Sequence, residues 1–142
     1  MNEKKRVLIL CTGNSARSQM AEGLLREIGG DKFAVESAGV APSSVRPEAV
    51  EAMGEIGFDI SGHRSKSADE FIGQTFDYII TVCDNAKETC PVFSGKATRI
   101  HQSFEDPPPE SSGDYQSRLK IFRRVRDEIR DWLNLFVRQY KG

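Results

Sequence analysis

The run Cys11-Thr12-Gly13-Asn14-Ser15-Ala16-Arg17-Ser18 has residue types and spacing that point to chemistry. A cysteine offers a sulfur nucleophile. Gly13 and Asn14 tolerate the backbone angles of a tight loop. Successive N–H groups of such a loop, Thr12 through Arg17, can converge on an anion. Arg17 adds a planar fork of donors matched to two oxygens of a tetrahedral oxyanion, and Ser18 can donate to a thiolate. Cys11 is therefore expected to have a lowered pKa and to attack the central atom of a bound oxyanion. A buried structural cysteine is the plainer reading, but it leaves the Gly, Asn, Arg and Ser around it without a purpose.

Two further cysteines, Cys83 and Cys90, bracket the polar segment Asp84-Asn85-Ala86-Lys87-Glu88-Thr89, and Pro91 follows. If 83–90 were helical, a rise of about 1.5 Å per residue would set their Cα atoms about 10 Å apart. A disulfide requires roughly 4.4–6.8 Å, so the pair can bond only if the segment unwinds. Its polar, proline-ended composition opposes that change weakly. A thiol pair around a pliable loop near a thiolate is a redox arrangement; the alternative is two unremarkable thiols.

Positioning these groups falls to the elements around them. Val7-Leu8-Ile9-Leu10 reads as a strand buried on both faces, ending at Cys11. Met20, Ala21, Leu24, Leu25 and Ile28 form one helical stripe, so the loop runs into a helix N-terminus, whose dipole favours an anion. Phe33 to Gly39 and Phe76 to Cys83 read as strands, with a shorter one at Ala97-Thr98-Arg99-Ile100. A helix is expected from Arg46 or Pro47, ended by Gly57, and Ser67 reads as the N-cap of a brief helix through Phe71 and Ile72. A long helix from about Ser112 to Tyr140 carries Leu119, Phe122, Val125, Ile129, Leu133, Phe136 and Tyr140 on one face. Arg123, Arg124, Asp127, Arg130 and Asp131 on the other face read as solvated charge. Strands alternating with helices predict an α/β single domain over 1–142: a four-stranded, mainly parallel sheet with helices on both faces and the anion loop after the first strand. Ligands of such sheets bind at the carboxyl ends of the strands, where both Cys11 and Cys83 lie.

The chain of 142 residues has a net charge of −1 with both signs interspersed. Nothing there calls for nucleic-acid or membrane binding, and no apolar run approaches a membrane span. Without a signal peptide and with three cysteines, a reducing cytoplasm, thiol chemistry and a monomer are expected. Cys83 and Cys90 lack zinc-ligand pair spacing and His63 and His101 are scattered, so no metal or cofactor is expected. His63 reads as a structural histidine.

Cys-x5-Arg-Ser after a strand resembles the phosphate loop of the low-molecular-weight tyrosine phosphatase superfamily. The run Cys11 to Glu22 is especially similar to the thioredoxin-coupled arsenate reductases on that fold. Cys83 and Cys90 match their two redox cysteines, and Asp106-Pro107 resembles the superfamily's acid loop, whose aspartic acid protonates the leaving oxygen. Pro108 and Pro109 stand where tyrosine phosphatases tend to carry aromatic residues, which favours a small inorganic oxyanion. The resemblance implies arsenate as substrate, Cys11 as nucleophile, Cys83 and Cys90 as the relay, and thioredoxin (rather than glutaredoxin) as reductant. Phosphomonoester hydrolysis through a Cys11 phosphoenzyme is the rival activity, and a non-enzymatic thiol redox sensor is a second rival. Some members bind potassium behind the loop; Asn14, Glu22 and Ser37 match three of its ligands. Lys66 replaces the fourth, a carboxylate, so no potassium dependence is expected.

Overall fold

The computed structural model describes residues 4–83 and 96–139. Four strands, β1 (Lys5–Cys11), β2 (Phe33–Gly39), β3 (Tyr78–Thr81) and β4 (Thr98–His101), form one sheet in the order β2-β1-β3-β4. All three pairings are parallel. Val7, Leu8, Ile9 and Leu10 are wholly buried. Successive side chains of a strand point to opposite faces, so both faces of β1 are covered, as an inner parallel strand requires. Register places Cys11 opposite Gly39 and Leu10 opposite Thr81. The nucleophile thus sits at the carboxyl edge, and Cys83 lies just beyond β3 at that same edge.

Helix α1 (Arg17–Gly29) follows the loop, α2 (Pro47–Gly54) follows β2, and α3 (Tyr115–Gln139) closes the described chain. Helix α3 packs on both α1 and α2, through Leu119, Phe122, Val125, Ile129, Leu133 and Phe136. Phe136 stacks on Trp132, and Trp132 meets Phe104 edge-on at 6.3 Å. That last contact anchors the start of the Asp106 loop to α3.

The expected α/β architecture, with its loop after the first strand, is the one found. Boundaries shift for local reasons. Helix α3 begins at Tyr115 rather than Ser112, because Gly113 is left-handed (φ +61°) and Asp114 accepts the Ser117 N–H at 2.7 Å as its cap. Helix α2 stops at Gly54, and the chain reverses through Gly57 at φ +85°. Ser67 does cap a short turn: Ala68–Phe71 is a 3-10 helix with a reciprocal Ser67–Glu70 capping box. The polar face of α3 is more than solvated charge. Arg123 pairs with Glu55 and Arg124 with Glu105, while Arg126, not singled out in the sequence, is buried and donates to the Ala52 carbonyl at 2.8 Å. Tyr140 and Cys90 lie outside the described residues.

Candidate active site

The loop between β1 and α1 is held by its carbonyls. The main-chain N–H groups of Val40, Ala41, Ser43 and Arg46 donate to the carbonyls of Cys11, Thr12, Gly13 and Ser15 at 3.2, 2.8, 3.0 and 2.9 Å. Gln19 Nε2 reaches the Asn14 carbonyl at 3.1 Å, and Met20 N takes that of Ala16 at 2.9 Å. A planar trans peptide directs its N–H opposite to its C=O. With the carbonyls drawn outward, the amides of this loop are left facing its interior. Helix α1 also starts on Ala16 with no capping side chain and no acidic residue in its first turn. Its first N–H groups, normally satisfied by a cap, are what an anion would meet.

Asn14 pins the turn. It is wholly buried with φ +48°, a left-handed angle that Asn accepts better than most residues. Its Nδ2 donates to Ser18 Oγ at 2.7 Å and Ser37 Oγ at 2.9 Å, and its Oδ1 accepts from Gln19 Nε2 at 2.9 Å and Lys66 N at 2.8 Å. Ser18 thus accepts from Asn14 and keeps its own proton for another acceptor. Gln19 was not singled out in the sequence. Its only signal was a polar residue at the buried start of α1, and its Oε1 contacts His63 Nδ1 at 3.0 Å. Burial, the leading influence on His63, pushes its pKa down, which fits a neutral structural imidazole.

The two described cysteines meet. Both are buried, the Cys11 thiol hydrogen-bonds with Cys83, and Thr12 Oγ1 lies 3.2 Å from Cys83 Sγ. This corrects the expected lowered pKa of Cys11. The Cys83 hydrogen bond and burial push the Cys11 thiol up, outweighing Arg17 and the Gly13 amide, which pull it down. Arg17, only 8% exposed, donates to the Phe104 carbonyl at 3.1 Å and pairs with Asp106 at 3.3 Å. Asp106, whose side chain is 79% exposed, therefore stands at the mouth of the loop. Cys11, Thr12, Cys83, Arg17 and Asp106 gather at one sheet edge from three separate stretches of sequence.

The family model for low molecular weight phosphotyrosine protein phosphatase matches residues 6–141. The chain belongs to that family. It is 42% identical over 134 residues to the arsenate reductase of Halalkalibacterium halodurans, covering 94% of this chain and 96% of the relative. A solved structure described as an arsenate reductase in the phosphate binding state superposes with a TM-score of 0.80 at 32% identity, covering 95% and 98% of the two chains. The low molecular weight protein tyrosine phosphatase of T. tengcongensis superposes at 0.76 with 26% identity, covering 96% and 100%.

The residues that match the family's potassium ligands are engaged with one another and with two cationic side chains. Ser37 Oγ donates to the buried Glu22 Oε1 at 2.5 Å. Lys66 Nζ lies 2.8 Å from Glu36 and 3.4 Å from Glu22, while Arg26 closes on the other Glu22 oxygen at 2.9 Å. Two carboxylates already face two fixed cations, so these residues do not fit a third positive charge. Among the described residues no helix is long and apolar enough to cross a membrane.

Proposed function

We propose that the protein reduces arsenate to arsenite by a relay of three sulfurs. The observation that carries this reading is the placement of a second sulfur, Cys83, beside the loop of Cys11, with Thr12 Oγ1 of that loop 3.2 Å from it. A hydrolase of phosphate esters needs one sulfur there, and a second held in contact by Thr12 has no task in it.

Arsenate binds the amides of residues 12–17 and the Arg17 guanidinium. Cys11 passes its proton to an oxygen of the bound anion, and the thiolate attacks arsenic. Hydroxide leaves, taking the proton of Asp106 to become water, and Cys11 is left bonded to arsenic(V). Cys83, its proton released to solvent, attacks the Cys11 sulfur. The S–As bond breaks with its electron pair kept by arsenic, which departs as arsenite, and a Cys11–Cys83 disulfide remains. Cys90 then attacks Cys83, moving the disulfide to 83–90 and freeing Cys11. Thioredoxin returns the pair to thiols. Ser18 offers its free proton to the Cys11 thiolate. The setting that suits this chemistry is a reducing cytoplasm, with the chain acting as a monomer, without metal or cofactor.

The test incubates reduced protein with arsenate, thioredoxin, thioredoxin reductase and NADPH, and follows NADPH loss and arsenite. Sustained turnover is expected. Cys90→Ser should stop after about one turnover with a Cys11–Cys83 disulfide, mapped by mass spectrometry, and Cys11→Ser should be inert. Rapid hydrolysis of phosphotyrosine that survives loss of Cys83 and Cys90, without arsenite formation, would favour the phosphatase. A reversible 83–90 disulfide without arsenite would favour the redox sensor.

A further inference from the structure

Away from the sulfurs lies a second buried cluster of charge. Glu48, 1% exposed, accepts from Arg46 Nη2 at 2.7 Å and from Arg118 Nε at 2.8 Å. Burial pushes its carboxyl up, but the two guanidinium groups overcome this and hold it below the usual range. Both arginines reach onward. Arg46 donates its main-chain N–H to the Ser15 carbonyl of the anion loop. Arg118 Nη1 donates to the carbonyls of Ser112 and Gly113, where the Asp106 loop ends. Among the described residues Arg46 Nε is buried with no hydrogen-bond partner. The carboxylate of Glu110, on the same loop as Asp106, stands 3.5 Å from it, within ion-pair range but without a hydrogen bond. Folded proteins rarely leave such a donor empty, so it asks for an explanation.

A second contact of that loop is provisional as well. Arg17 pairs with Asp106 at 3.3 Å, yet a bound oxyanion would claim the same guanidinium. Asp106 must then let go and, as an acid, turn to the leaving oxygen. Between Asp106 and Glu110 stand only Pro107, Pro108 and Pro109. Fixed φ angles make such a run stiff, so displacement of Asp106 carries Glu110 with it.

We propose that Arg46 is a positioning residue for the acid loop: its Nε receives Glu110 when the oxyanion displaces Asp106 from Arg17, and this contact fixes Asp106 over the leaving oxygen. Glu48 serves by locking the Arg46 guanidinium in place. The inference rests on Asp106 acting as the acid.

The experiment measures how fast the Cys11–Cys83 disulfide forms when saturating arsenate meets reduced protein in a Cys90→Ser background, alongside thermal stability and the affinity for inorganic phosphate. Glu110 is exposed, so Glu110→Gln should fold with unchanged Tm, and because the contact tightens when an oxyanion is bound, its phosphate affinity should fall by no more than about two- to five-fold. Its disulfide formation should slow two- to five-fold, the scale of one exposed charge pair. Arg46→Lys, which keeps the charge beside Glu48 but removes Nε, should slow it similarly, and the double variant should be no slower than the slower single. In an Asp106→Asn background, itself slow, Glu110→Gln should change nothing further. An unaltered rate in Glu110→Gln beside a slow Asp106→Asn overturns the positioning role and spares the acid. So does a Glu110→Gln loss that persists at the same factor in Asp106→Asn. A fast Asp106→Asn removes the acid reading itself.

Discussion

Cys11 shows how one neighbour can reverse the effect of a whole loop. Amides, a helix terminus and Arg17 all favour a thiolate, yet the Cys83 hydrogen bond and burial hold the proton on Cys11. In Cys83→Ala the larger of these two influences is gone, and the apparent pKa of Cys11 should fall. The sign follows directly: a lower pKa means more thiolate at a given pH. Alkylation of Cys11 by iodoacetamide at pH 7 should therefore run faster in the variant, with its pH profile displaced to lower pH. A profile unmoved by the substitution would mean that Cys83 does not govern the proton. Thr12 has its own place in this account, because its hydroxyl orients the second sulfur from within the same loop.

At the scale of elements, the end of β2 shapes the anion loop. A Cβ built on Gly39 would lie 2.6 Å from the Thr12 carbonyl oxygen, 2.8 Å from Asn14 N and 3.0 Å from the Gly13 carbonyl carbon. All three are backbone atoms and cannot swing aside. Gly39→Ala should thus cost about 1–3 kcal/mol of stability, as overpacking does, and weaken phosphate binding, both readable by thermal denaturation with and without phosphate. This role was hidden in the sequence, where Gly39 reads only as the end of a strand. Motifs that act through near neighbours were legible: Cys11 to Ser18, the apolar stripe of α3, the Ser67 cap. Gln19, Arg46, Glu48 and Arg126 were not, because charged and polar side chains announce solvent by type. Their burial depends on partners 45, 64, 70 and 74 positions away, namely the Arg64 carbonyl, Glu110, Arg118 and the Ala52 carbonyl. The Cys83–Cys11 contact was legible only through topology, since parallel strands bring their carboxyl ends to one edge.

Taken as a whole, the molecule balances its buried charge internally. Glu22 and Glu36 face Arg26 and Lys66 across α1, β2 and the segment before the 3-10 turn. An ammonium tethered by the chain needs no ion from solution. Thermal stability and turnover should accordingly be equal in potassium and sodium chloride at matched ionic strength, and a selective gain with potassium would refute this balance. The sheet also keeps its sulfurs nearly dry, with Cys11 3% and Cys83 4% exposed. Peroxide attacks thiolates that are open and ionised; both of these sulfurs are closed off, and Cys11 holds its proton. The cradle thereby selects oxidants by shape and charge: a tetrahedral anion that fits its amides reaches the nucleophile, while small neutral peroxides find it shielded and still carrying its proton.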